Sequence, residues 1–188
     1  EEIITLVDVD DQDAAVDRLI VGHTHLMLSP GLLATEYQAS LPWEEENEAL
    51  ILFDVSINDE EGSTIHLCPS AFADDEHISE ACGFFHALGM QTFIMQDRPA
   101  LLLARLFSHL INVLSDYSLT HHLDPISIDQ YLQDDLGLEY LPYQICDYLG
   151  PDYISAVTEN LARTYQDGRY RNALLTRLKV NAQAYFRE

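Results

Sequence analysis

The rhythm of apolar and polar positions changes near residue 97 of this 188-residue chain. Before it, short β-rich runs alternate with stretches of helical spacing. The runs "IITLVDV" at 3–9, "HLML" at 25–28, "ALILFDV" at 49–55, "TIHLC" at 64–68 and "QTFIMQ" at 91–96 read as strands. Residues 11–20 open on acid and carry apolar side chains at 14, 15, 16, 19 and 20, which predicts a helix. Residues 74–88 begin "DDEHISEA" and close at Gly89, which predicts another. Beyond Pro99, which suits a first helical turn, Leu101, Leu102, Ala104, Leu106, Leu110, Ile111, Val113 and Leu114 hold an apolar stripe for about five turns. Shorter helices are expected at 127–136, 143–149, 152–165 and 171–186. The pattern therefore predicts an α/β domain over 1–96, with a sheet of about five strands, followed by an all-α bundle over 97–188.

Charge then narrows the partners. Against 32 acidic residues stand 9 Lys and Arg, a formal net charge of -23. A field of that sign repels phosphate backbones and anionic membranes, and the basic residues gather only around Arg169, Arg171, Arg177 and Lys179. Neither nucleic acid nor a membrane is an expected partner. Runs such as "WEEENEA" and "ADDEHISEA" read as solvated faces. No apolar run reaches the roughly eighteen residues of a membrane span, and "EEIITLVDVDD" carries acid where a secretory leader carries base. Cys68, Cys82 and Cys146 stand alone in apolar surroundings, as reduced packing thiols do. The expected location is cytoplasmic.

The histidines offer little chemistry of their own. His23 with His25, and His121 and His122 with Asp124, are candidate metal ligands, but neither set has a complete ligand count at a known spacing, so no metal is expected. His109 lies within the long helix and reads as a core or interface side chain.

Three later stretches carry a resemblance. "DRPALLLAR" runs from Asp97 to Arg105, "GLEYLPYQICDYLG" from Gly137 to Gly150, and "YQDGRYRNALLTRLKVNAQ" closes the chain. Their spacing resembles the 3-hydroxyacyl-CoA dehydrogenase family, whose helical domain opens with D-x-P-G-F-[IV]-x-N-R and continues with G-x-P-x-G-P-F-E-L-x-D-x-x-G. Asp97, Arg98, Pro99 and Arg105 fall on the first pattern, and Gly137, Pro142, Asp147 and Gly150 on the second. The resemblance covers roughly residues 30 to 188 and implies a Rossmann-like domain ahead of the helices.

At the positions that carry the family's chemistry the letters differ. The resemblance puts Ala39 of "ASLP" where the family has a substrate-contacting Ser. Asp54 falls near the general-base His, His66 of "TIHLC" at the Glu that orients that base, and Ala104 at the Asn that follows the helix start. Exchanged ends of one hydrogen bond, Asp54 with His66, are chemically permissible as a dyad. The favoured reading is structural, with no catalytic residue. The family's G-x-G-x-x-G loop, which lets backbone amides approach a pyrophosphate, has no counterpart among the scattered glycines.

The resemblance is to the second, C-terminal unit of tandem bacterial 3-hydroxybutyryl-CoA dehydrogenases, a reduced Rossmann domain joined to a helical domain. It implies a non-catalytic portion with no cofactor of its own, NAD being bound by the parent catalytic unit. The implied partners are the helical domain of that unit or a second copy of this chain, with acyl-CoA a further candidate. Two other readings stay open: a free-standing active NAD-dependent dehydrogenase, and a CoA-binding or assembly module without turnover.

Overall fold

Gly22, at φ 60°, turns a two-residue hairpin between β1 (Arg18–Val21) and β2 (Thr24–Leu28), which pair antiparallel from Arg18↔Met27 to Val21↔Thr24. The computed structural model describes residues 18–43, 47–56 and 62–187. The strand expected at 3–9 and most of the helix expected at 11–20 lie outside them. Where that helix was expected to end, residues 18–20 are strand instead. Ile20 and Val21 are β-branched and meet a glycine turn, so cross-strand pairing overrides the local helical spacing.

The sheet continues through β3 (Ala49–Phe53), β4 (Thr64–Pro69) and β5 (Gln91–Ile94) in the order β1-β2-β3-β4-β5. β2 with β3 and β4 with β5 are parallel, whereas β3 with β4 is antiparallel. Two helices cover it, α1 (Ala34–Ser40) after β2 and α2 (Asp75–Ala87) after β4. Both faces of the central strands are therefore buried, and those strands alternate between two apolar cores, while β5 at the edge stays largely exposed. Leu26, Ile51, Ile65 and Leu67 pack with Ala81 and Phe85 of α2. Met27, Leu50, Leu52 and Cys68 pack with Ala34 of α1 and Leu101. Helix α1 has no sequence expectation behind it: its N-cap residue, Leu33, offers no side-chain hydrogen bond.

The chain divides into two compact units between Leu101 and Leu102. The second is wholly helical: α3 (Leu103–His121), α4 (Pro125–Leu136), α5 (Pro142–Leu149), α6 (Pro151–Tyr165), a 3-10 turn at Gly168–Tyr170, and α7 (Leu174–Asn181). Prolines begin α4, α5 and α6, where a missing N–H costs nothing. The last helix is shorter than the expected 171–186. The Asp147 carboxylate accepts from the Phe186 and Arg187 amides at 2.7 and 2.9 Å, holding the end of the chain outside α7. No helix among the described residues is long and apolar enough to cross a membrane.

Candidate functional site

In a parallel α/β arrangement, ligands gather beyond the carboxyl ends of the strands. At that end of β3 stands Asp54, 1% exposed, its own amide bonded to the His66 carbonyl at 3.0 Å. Its Oδ1 accepts from Val55 N at 2.9 Å, and its Oδ2 lies 4.0 Å from His66 Nδ1. The structure thus brings Asp54 and His66 together, but 4.0 Å is beyond hydrogen-bond reach. His66 instead sets its ring edge-on to Phe93, with centroids 5.8 Å apart.

Ala39 belongs elsewhere. Helix α1 starts near the carboxyl end of β2 and runs back to the opposite strand ends, where Gln38 accepts from Leu50 N at 2.9 Å and donates to Glu48 O at 3.1 Å. Ala39 follows Gln38 and is exposed at a cleft of about 460 Å³ that Trp43, Phe72 and His77 also line. It shares no site with Asp54. The residue beside Asp54 in space is Ser29, fully buried, whose amide bonds Phe53 O at 2.8 Å. The match to "ASLP" followed local letters, whereas the crossover topology puts the segment after β2 at that strand edge. Ala104, on the first turn of α3, is fully buried.

The motif residues serve as joints. Asp97 Oδ1 accepts from Ala34 N at 2.7 Å and Oδ2 from Thr35 N at 2.9 Å, so the aspartate of "DRP" caps α1. Pro99 is buried beside it in sequence and Arg98 is exposed. Arg105 donates to the Tyr165 hydroxyl at 2.8 Å, its guanidinium 5.1 Å from that ring's centre. Gly137 ends α4 at φ 66°, Pro142 begins α5, and Gly150, at φ 94°, separates α5 from α6.

Sequence reasoning missed three buried polar hubs. Gln38 also takes the Ser70 hydroxyl at 2.5 Å, joining α1 to the sheet. Asp129, fully buried on α4, caps α5 through Tyr143 N and Gln144 N, each at 3.1 Å. Burial pushes its carboxyl above the ordinary range, against the pull of those two amides. Asn112 donates to Arg171 O and accepts from Ala173 N, both at 2.6 Å. One available signal was at Asn112, a polar letter inside the buried stripe of α3.

The histidine pairs are engaged in turns and caps. The amide of His23 bonds Glu80 at 3.2 Å, and the ring of His25 faces Glu48 at 3.2 Å. His122 ends α3 in the left-handed conformation, and Asp124 caps α4 by accepting from Ser127 N at 2.9 Å. Among the described residues no cluster of three or more His, Cys, Asp or Glu is arranged to hold a metal ion. Burial pushes the Cys68 thiol up to about 12 and that of Cys146 up as well, the behaviour of packing thiols.

Two family models match consecutive parts of the chain. One is the 3-hydroxybutyryl-CoA dehydrogenase reduced Rossmann-fold domain, over residues 26–99. The other is the 3-hydroxyacyl-CoA dehydrogenase C-terminal domain, over 102–188. Among solved structures, a 3-hydroxybutyryl-CoA dehydrogenase from Escherichia coli K12 is similar with a TM-score of 0.79 and 20% identity, over 97% of this chain and 38% of that one. An (S)-3-hydroxybutyryl-CoA dehydrogenase from Ralstonia eutropha gives 0.66 and 19%, over 86% and 56%. FadB2 of M. tuberculosis gives 0.68 and 12%, over 84% and 55%. The chain thus spans between 38% and 56% of the lengths of these three proteins, and at such identities the likeness is one of fold. No curated protein sequence matches it. With family models matching residues 26–99 and 102–188, the chain belongs to the 3-hydroxyacyl-CoA dehydrogenase family.

Proposed function

We propose that this chain is a non-catalytic C-terminal portion of a 3-hydroxybutyryl-CoA or 3-hydroxyacyl-CoA dehydrogenase acting in the degradation of fatty or related acyl-CoA compounds. It supplies a helical scaffold for dimerisation and for the acyl-CoA cleft, and NAD is held by the parent catalytic unit. The observation that carries this reading is the occupancy of the α1 amides. A βαβ crossover binds pyrophosphate with the free N–H groups at the start of its helix. Here the Asp97 carboxylate already takes the N–H groups of Ala34 and Thr35. A second negative group could not approach without expelling the first. The start of α2 is likewise taken, by Asp74, which accepts from Glu76 N and His77 N. Neither helix start fits a dinucleotide.

The assembly role draws on α3. Leu102, just ahead of it, and Leu106, Val113 and Tyr117 along it are each about half exposed, and from Arg98 to Ser115 the chain has no Asp or Glu. In so acidic a protein, an apolar stretch free of acidic residues is a surface on which another helical domain can dock with less like-charge repulsion. The partner in this reading is the helical domain of a catalytic unit or of a second copy.

Asp54 and His66 favour turnover only as far as their proximity does: at 4.0 Å they form no direct hydrogen bond. Titration of the chain with NADH and with acetoacetyl-CoA, followed by fluorescence and calorimetry, tests the reading. NADH is expected to give no binding signal. Saturable NADH binding would replace it with the free-standing dehydrogenase, and acetoacetyl-CoA binding without NADH would favour the CoA-binding module.

A further inference from the structure

His77, on the first turn of α2, lies in a setting that neutral imidazole does not satisfy. Its side chain is 9% exposed, with Nδ1 2.6 Å from Asp74 Oδ1. Its Nε2 is 2.7 Å from the Asn47 carbonyl oxygen. A carboxylate and a carbonyl only accept, and neutral imidazole carries a single N–H. One of the two contacts would then set lone pair against lone pair. The imidazolium donates to both.

The surrounding charges favour that form. On α2 itself stand Asp74, the first-turn acids Asp75 and Glu76, and Glu80, whose carboxylate is fixed by the Thr24 hydroxyl at 2.7 Å. From the sheet side come the Asn47 carbonyl and Glu48, which pairs with His25; Arg18 lies beyond, where it lines a smaller pocket with His25, Trp43 and Glu48. Burial pulls the His77 pKa down, but the Asn47 carbonyl and the Asp74 and Glu80 carboxylates outweigh it and leave it above the ordinary value.

We propose that His77 is a proton-operated latch: as imidazolium it ties the first turn of α2 to the start of β3 through Asp74 and Asn47, and on losing its proton it opens the neighbouring cleft. Loss of either proton breaks one tie. If Nδ1 becomes the lone pair it can accept from the Asp74 amide, 3.3 Å away, and the Asp74 carboxylate at 2.6 Å must withdraw; if Nε2 does, the Asn47 carbonyl at 2.7 Å must withdraw. Asp74, Asn47 and His77 line the cleft of about 460 Å³ with Gln38, Phe72 and Trp43. Withdrawal therefore alters the surroundings of Trp43, the single tryptophan of the chain. The sign follows from the raised folded value. The tie is complete below the ordinary histidine pKa of about 6.5 and is lost as pH rises through the folded value.

The test uses the full chain. Ring resonances of the histidines are followed by NMR from about pH 5 to 9, and His77 is identified by its absence in His77→Gln. Trp43 emission is recorded across the same range. His77 is expected to titrate above about 6.5, and Trp43 emission to change with the same midpoint. The Trp43 transition is expected to vanish in His77→Gln, and Asp74→Asn, which keeps a capping oxygen, to lower the His77 midpoint. A His77 midpoint at or below the ordinary value overturns the proposal. So does Trp43 emission that stays flat while His77 titrates.

Discussion

Replacing Asp97 with Ala tests whether one carboxylate both builds α1 and fills the amides that a phosphate would need. The side chain makes two charge-assisted bonds, at 2.7 and 2.9 Å, to amides 63 and 62 residues away. Ala34 is fully buried, so its N–H gains no water when the acceptor is removed. Thr35 is half-buried and regains some. Loss of a helix cap costs about 0.5–2 kcal/mol, and hydrogen bonds to charged groups contribute about 1.5–3 kcal/mol each. With one amide left dry and the other rehydrated, the net cost is about 2–3 kcal/mol. Asp97→Asn keeps one accepting oxygen but turns an NH₂ towards the second amide, so about half of that loss is expected.

The assay is urea unfolding followed by Trp43 emission, because Trp43 belongs to the first compact unit and reports its unfolding separately from the helical unit. With a urea slope of about 1–2 kcal/mol/M, the midpoint of that transition falls by about 1–3 M in Asp97→Ala, and by less in Asp97→Asn. The ellipticity transition of the helical unit should move little. A midpoint within about 0.3 M of the parent, equivalent to roughly 0.5 kcal/mol or less, refutes the reasoning. The α1 amides would then be served by water, and their occupancy could no longer be held against a bound phosphate.

Further outcomes follow from the helical unit. Asn112→Ala orphans the Arg171 carbonyl and the buried Ala173 amide and should destabilise that unit by about 2–4 kcal/mol, seen as an earlier ellipticity transition. Because burial raises the Asp129 pKa, ionising it opposes folding, so its contribution to stability falls as pH rises from the ordinary carboxylate value through the folded one. Comparing urea midpoints of the parent and Asp129→Asn from about pH 4 to 7 isolates that fall, which is absent in the variant. Sedimentation at low and high salt should show association that tightens as salt screens the net charge of -23, and Leu106→Glu with Val113→Glu should weaken it by roughly tenfold or more. A strict monomer in both conditions that also ignores an added catalytic unit would remove the assembly role.

What the sequence discloses divides along the range of the interactions. The runs "HLML" and "ALILF" announce strands because Leu26 and Ile51 fill one face while Met27, Leu50 and Leu52 fill the other, and that alternation is written in adjacent letters. The proline starts of α4, α5 and α6 are equally local. Helix α1 was illegible because its cap is Asp97, far along the chain, and β1 was misread because apolar spacing alone does not separate a helix end from half a hairpin. The same physics blurs the candidate site. Asp97 and Asp147 were visible as motif letters, yet their work, accepting pairs of remote amides, exists only once the chain has folded. Asp129 does that work with no motif around it. A carboxylate inside an apolar helical stripe must meet donors or pull the helix apart, so "ISIDQYL" could have predicted that donors exist, though not that they are the first amides of α5. The carboxylates of Asp97, Asp129 and Asp147 thus hold backbone ends, a role the fold requires whether or not hydride is ever transferred.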